Sequence, residues 1–189
     1  MTVRELVEAT RSVRRFGQDP VSLETVRELV DLGRLSASGG NKQPLKYILS
    51  ADPETNAKIF PCTVWAGYLA DWDGPAEGER PTAYVVILND TEVSNAPGVD
   101  HGIAGQSIAL GARERGLGAC MIGSLRRKEL AEALGISDRY EILLVIALGA
   151  PGEEIRLEAA GPDGEIRYYR DDQGVHHVPK RPLDEIILG

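Results

Sequence analysis

The chain has 189 residues, 42% hydrophobic and 26% charged, with a formal net charge of −8. That length can bury a substantial core in one domain, and the composition is that of an ordinary globular protein. The acidic balance argues against a nucleic-acid surface, and no run reaches the roughly 18 apolar residues of a membrane span. Met1-Thr2-Val3-Arg4-Glu5 has no apolar stretch like that of a secretory leader. The expectation is a cytoplasmic protein that binds neither nucleic acid nor membrane.

Thr2, with Glu5 at capping-box spacing, opens a helix running to about Ala9. A turn then leads into Arg11-Ser12-Val13-Arg14-Arg15-Phe16. On an acidic chain these cations, with Lys180-Arg181 at the far end, point to a local anionic ligand, because the forked donors of arginine match phosphate oxygens. Ser22-Leu23-Glu24-Thr25 reads as a second capping box. It opens a helix to about Ser36 with a buried stripe of Leu23, Val26, Leu29, Val30 and Leu35. Ser38-Gly39-Gly40-Asn41 is a loop whose paired glycines permit positive φ and close backbone approach.

Tyr47-Ile48-Leu49 reads as a short strand and Pro53 to Ile59 as a short helix. Val64 to Pro81 is irregular and holds both tryptophans, Trp65 and Trp72. Ala83 to Leu88 is a core strand. Asp100 to Arg115 is a helix whose many small residues predict tight packing against another helix or a flat ligand. Gly116 to Gly123 turns out of it into a second strand, Arg127 to Leu134 is a helix stopped at Gly135, and Ile142 to Leu148 is a third strand. Residues 151–189 are polar and irregular with little core, which predicts an extended C-terminal arm wrapped on another surface, naturally a partner subunit.

Cys62 and Cys120 are too few and too isolated for a disulfide framework or a metal knuckle, and Cys120 reads as a buried, inert thiol. His176-His177 beside Asp171-Asp172 reads as a solvated loop, so no metal is expected. No P-loop is present. The glycines of Gly111 to Gly118 lead from helix to strand, the reverse of a dinucleotide-binding turn. No Ser-His-Asp constellation occurs either, so no side-chain catalyst is expected.

Four segments carry a resemblance. Arg11-Ser12-Val13-Arg14-Arg15-Phe16 resembles the R-S-x-R-x-F opening of the FMN-dependent nitroreductase superfamily. Ser36 to Pro44 is similar to its S-x-x-N-x-Q-P motif, Gly116 to Gly123 to its G-L-G-x-C-like turn, and Lys180-Arg181-Pro182-Leu183-Asp184-Glu185 to its basic C-terminal signature. All four stand in family order and span essentially the whole chain.

The resemblance implies a single α+β domain, a mostly antiparallel sheet flanked by helices, forming a homodimer with FMN at the subunit interface. It implies that Arg11, Ser12, Arg14, Lys180 and Arg181 hold the phosphate and ribityl chain. Ser38, Gly39 and Asn41 would approach from the partner subunit, flanked by Gln43 and Pro44. Met121, Ile122 and Gly123 would lie along the isoalloxazine, with a backbone N–H toward N5, and Arg14 or Lys42 would supply a cation near N1. Thr10 stands where many members carry another basic residue. Arg15 reads as solvated, and Tyr68 and Trp72 in the Trp65-to-Pro75 segment are the candidate lid residues for substrate.

The implied activity is NAD(P)H-dependent, flavin-centred, ping-pong hydride transfer to nitro-aromatic, quinone or similar acceptors. Reductive dehalogenation, flavin cleavage and non-catalytic FMN storage are the alternatives.

Overall fold

A computed structural model describes residues 1–69 and 71–189; Ala70, inside the candidate lid, lies outside the described residues. In chain order the elements are α1 (Val3–Ala9), β1 (Phe16–Gly17), α2 (Leu23–Leu35), β2 (Leu45–Ser50), α3 (Pro53–Ile59), β3 (Ala83–Asp90), α4 (Asp100–Glu114) and β4 (Gly118–Ile122). They continue with α5 (Arg127–Leu134), β5 (Tyr140–Pro151), β6 (Ile155–Ala159), β7 (Tyr169–Arg170), β8 (His176–Lys180) and α6 (Leu183–Ile186).

Local chemistry accounts for most of these bounds. Thr2 Oγ1 accepts from the Glu5 amide while Glu5 Oε2 accepts from the Thr2 amide at 2.8 Å, the reciprocal bonds of a capping box. Ser22 caps α2 from one side only: it accepts from the Thr25 amide at 3.0 Å, and the Thr25 hydroxyl meets the Ser22 hydroxyl. Asp52 caps α3 with Pro53 in its first turn, and Gly135 ends α5 in the left-handed conformation at φ 65°.

The main sheet is antiparallel, in the order β1-β5-β3-β2, with β4 pairing the same β5 as β1 does. Every residue of β3 is buried. Its alternating side chains therefore enter two cores, as a strand covered on both faces requires. Tyr84, Val86 and Leu88 pack with Ile59, Leu130 and Trp65 on the α3 and α5 side, whereas Val85 and Ile87 pack with Val26, Leu29, Ile108 and Ala112 on the α2 and α4 side.

The expected apolar stripe of α2 needs correction at both ends, because Leu23 and Leu35 are exposed. Val26, Leu29 and Gly33 form the buried face instead. An added Cβ at Gly33 would stand 3.2 Å from Ile108 of α4, so the missing side chain permits the close crossing of the two helices.

The C-terminal region also departs from expectation. It is not irregular but forms a second, three-stranded sheet, in which β8 pairs with β6 in parallel and with β7 antiparallel. Polar contacts tie this region to the first part of the chain, from Glu153 to the Arg14 and Arg15 amides and from His176 to Arg14. Pro179 fits within β8 because β7 pairs only with His176 and His177, leaving one edge of β8 free beyond them.

At the end of β3, the Asp90 side chain is fully buried and receives two hydrogen bonds from Arg139, at 2.8 and 2.6 Å. These bonds hold the Asp90 carboxyl below the usual carboxylate range. Arg139→Ala leaves that carboxylate buried and unpaired. The expected result is a fall of several degrees in Tm, with Arg139→Lys intermediate, measured by thermal unfolding. Among the described residues, no helix is long and apolar enough to cross a membrane.

Candidate functional site

The link between α1 and β1 is tied directly to β4. Ser12 bridges Ala119, and the Val13 amide donates to the Ala119 carbonyl at 3.0 Å. Gly118 makes this approach possible, since a Cβ there would stand 2.7 Å from Val13 Cγ2 and 2.8 Å from Val13 Cβ. The backbone amides of Arg14 and Arg15 both donate to Glu153 Oε1, and Glu153 Oε2 accepts from Arg170 at 2.8 Å. One buried carboxylate thus joins the N-terminal segment to the C-terminal sheet.

The result is a cavity of about 450 Å³ with walls from four places in the chain. Thr10, Arg11, Ser12 and Arg14 form one wall, Gln106 and Ala109 of α4 a second, and Ala119 and Met121 of β4 the floor. The C-terminal sheet closes it with Tyr168, His176, Val178 and Lys180. Three cations and three hydroxyl-bearing residues therefore line one space in a protein that is acidic overall. Arg11 Nε is buried without a hydrogen-bond partner among the described residues, and burial lowers this guanidinium from its ordinary value. Its Nη2 donates to the Val7 carbonyl at 2.6 Å, so the guanidinium is only partly satisfied, which suits an anion carrying several oxygens.

Of the candidate site residues, Arg11, Ser12, Arg14, Met121 and Lys180 line this cavity, whereas Arg181 does not. Arg181, which precedes α6, is paired with Glu185 within that helix. Arg15 also lies outside the cavity; it is half-buried beside Glu79 at 3.4 Å rather than solvated. Ile122 is a partial correction. It is buried in the core on the α3 and α5 side, so its side chain cannot lie along a ring and only its backbone is available. Strand alternation sends Met121 to the opposite face, toward the cavity. Gly123 follows β4, and its carbonyl accepts from Arg127 at 3.1 Å.

The Ser38-to-Pro44 loop lies at other cavities. Ser38 and Gln43 line one with Tyr47 and Asp100, while Gly39 and Pro44 line another with Pro97 and Asp100. The Ser38 hydroxyl is already engaged, donating to Asp100 at 2.6 Å and accepting from the Gln43 amide at 2.9 Å. Its role in the protomer is to shape the loop. Gly40, Asn41 and Gln43 all have positive φ, at 58°, 54° and 50°. Two of these are not glycine, a strained backbone of the kind found at functional sites. Pro44 is buried, and its carbonyl accepts from the Asp90 amide at 2.9 Å. Asp100 is the residue here that sequence reasoning missed, since an acidic residue in the first turn of a helix reads as ordinary dipole complement.

The candidate lid residues sit on the C-terminal sheet's side of the cavity without lining it. Tyr68 packs on Tyr168 with ring centroids 5.0 Å apart, and Arg170 lies 4.4 Å over the Trp72 ring. Trp65 is buried in the core.

His176 and His177 correct the solvated-loop expectation. Both belong to β8, and His176 is fully buried. His177 lies between Glu158 at 2.9 Å and Asp171 at 3.1 Å, bonds that raise its affinity for a proton. Burial first, and then the nearby Arg14 charge, push His176 down to about 4. As pH falls from the ordinary value of 6.5 toward about 4, the unfolded chain takes up the His176 proton before the folded one, so stability falls. The contribution of His177 has the opposite sign: it is fully present below the ordinary value and is lost as pH rises through the raised one. Thermal melts across this range are expected to show the acid loss flattened in His176→Gln and the alkaline loss removed in His177→Gln. Cys120 is buried, with its thiol pushed up to about 11 by burial, as an inert thiol should be. No group of three or more metal-ligating side chains occurs among the described residues.

An antiparallel sheet between two helix layers, with cationic side chains gathered between the first helix, a sheet strand and a C-terminal sheet, defines an α+β protein. The Nitroreductase family model matches residues 7–67 and 77–150, and the chain belongs to that family. It is 27% identical over 158 residues to an Archaeoglobus fulgidus protein provisionally described as an NADH dehydrogenase/NAD(P)H nitroreductase, covering 79% of this chain and 86% of that one. It is 27% identical over 169 residues to the NADPH-flavin oxidoreductase of Vibrio harveyi, covering 84% and 69%. A Desulfovibrio desulfuricans protein solved in complex with FMN shares the fold with a TM-score of 0.73 at 24% identity, covering 100% of this chain and 96% of that one.

Proposed function

We propose that the chain is an FMN-dependent oxidoreductase that takes hydride from NAD(P)H and delivers it to nitro-aromatic, quinone or similar acceptors, working as a cytoplasmic homodimer. The observation that carries this reading is the convergence of Arg11, Ser12, Arg14 and Lys180 on one cavity beside Met121. The residues fit the cofactor: the unpartnered Arg11 Nε and the Arg14 and Lys180 cations suit a phosphate dianion. When bound, FMN supplies the two-electron chemistry.

In this reading Arg11, Ser12 and Lys180 bind the phosphate end. Arg14 provides positive charge toward the ring, and Met121 with Ala109 and Ala119 shapes the apolar side of the cavity. The family relationship and the flavin-dependent relatives support the same reaction class. Exposed Val3 and Val7 on α1, Leu183 and Ile186 on α6, and Leu188 beyond it favour a partner subunit. That partner would bring its own strained Ser38-to-Pro44 loop to the cradle, since within one protomer the loop lines separate cavities.

The test is anaerobic titration of the FMN-loaded protein with NADH and with NADPH. Rapid bleaching of the flavin absorbance is the expected result. Flavin that dithionite reduces but neither nucleotide bleaches overturns the reductase reading. For the lid, Tyr68→Ala and Trp72→Ala are expected to raise KM for the acceptor about threefold to tenfold, leaving the nicotinamide half-reaction within about twofold. Steady-state constants unchanged across an acceptor panel would remove both residues from the substrate site.

A further inference from the structure

His176 is fully buried, yet it belongs to neither apolar cluster and lines the cationic cavity instead. Its backbone is held on both sides, opposite Ile155 of β6 and Arg170 of β7, and its amide donates to the Glu154 carbonyl at 2.9 Å. Its Nε2 lies 3.0 Å from Arg14 Nη1. A guanidinium can only donate, so Nε2 must be the acceptor and the ring proton must sit on Nδ1. Nδ1 is buried and has no partner among the described residues.

Arg14 is held on a second side by Tyr168, whose ring centroid is 4.5 Å from the guanidinium carbon, and Tyr168 itself leans on the imidazole at 5.3 Å. Glu153, Arg170 and His177 are the other charged or titratable groups acting on His176, with Arg11 and Lys180 across the cavity. The cations among them oppose a second proton on the ring. A neutral acceptor has a consequence that a carboxylate in the same place would not: it fixes the guanidinium without cancelling its charge, so Arg14 remains a net cation toward the cavity.

We propose that His176 is a positioning residue for Arg14: its neutral, Nδ1-protonated imidazole, together with the Ser12 carbonyl that accepts from the same Nη1 at 3.3 Å, fixes the guanidinium at the cavity wall and leaves its Nε and Nη2 N–H groups for an anionic ligand. This rests on the reading that the cradle receives FMN.

The experiment measures FMN dissociation constants for the full-length wild type and for His176→Gln, His176→Leu, His176→Glu, Arg14→Ala and the Arg14→Ala/His176→Leu pair. The histidine tautomer is read separately by nitrogen NMR on the wild type. Gln offers a neutral acceptor and is expected to bind within about threefold of wild type, whereas Leu is expected to lose about tenfold. Glu, which cancels the Arg14 charge, should bind weaker than Gln despite being a good acceptor. The double variant should bind no worse than Arg14→Ala alone. Wild-type affinity in His176→Leu, equal losses in Leu and Gln, or additive losses in the pair would each overturn the proposal as a mere packing effect. If the wild type binds no FMN, the functional reading fails by itself. The tautomer then decides the proposal, supported by a neutral Nδ1–H ring at pH 7 and overturned by an Nε2–H or doubly protonated one.

Discussion

Glu153→Ala is expected to destabilise the protein by about 3–5 kcal/mol, the range for removing one partner of a buried ion pair. The Glu153 side chain is 2% exposed, and that of its partner Arg170 is 12% exposed. Truncation therefore leaves a guanidinium in a poorly hydrated place and removes the acceptor of the Arg14 and Arg15 amides as well. For a chain of this size the loss corresponds to a Tm lower by roughly 10 °C. Glu153→Gln retains an acceptor without the charge and should fall between the two. The local effect also reaches the cradle, because the same carboxylate sets the backbone that carries Arg14. Urea unfolding of Glu153→Ala within about 1 kcal/mol of wild type would show that the two sheets are held together some other way.

The second large effect concerns the ligand. Arg11→Ala and Arg14→Ala are each expected to weaken FMN binding about tenfold to a hundredfold, the worth of a charge-assisted hydrogen bond in a partly dry site. The double variant should purify without colour. Arg15→Ala is the control: Arg15 differs from Arg14 by one position but turns to Glu79, outside the cavity, so its affinity should stay within about threefold of wild type. Flavin fluorescence titration at fixed ionic strength separates these outcomes. Equal losses in Arg14→Ala and Arg15→Ala would mean that general positive charge, and not the cradle geometry, governs binding.

The ease of reading the cradle from sequence differed from residue to residue. Arg11, Ser12 and Arg14 stand within four positions of each other and against the acidic balance of the chain, so their chemistry is visible locally. Lys180 was legible through the same contrast, but which of Lys180 and Arg181 faces the cavity is set by the alternation of β8, which turns His176, Val178 and Lys180 to one side. Ser38 looked like a ligand donor because of its motif. Its hydroxyl is spent on Asp100, 62 positions away, which no local pattern reports. Ile122 and Met121 are chemically similar neighbours, and only the pairing of β4 with β5 decides which enters the core.

Capping residues and glycine stops by themselves determined where the helices from α1 to α5 begin and end to within a residue or two, because those signals act over a few residues. The sequence also marked which cations stand together against its acidic balance. The tertiary structure decided what a polar segment becomes when its partners are distant. Residues 151–189 read as a loose arm, yet contacts spanning 139 residues from Glu153 to Arg14 and 162 from His176 to Arg14 build them into a wall of the site. A charged or imidazole side chain carries no mark of its future partner. Its burial is favourable only once the fold has placed that partner within hydrogen-bond reach.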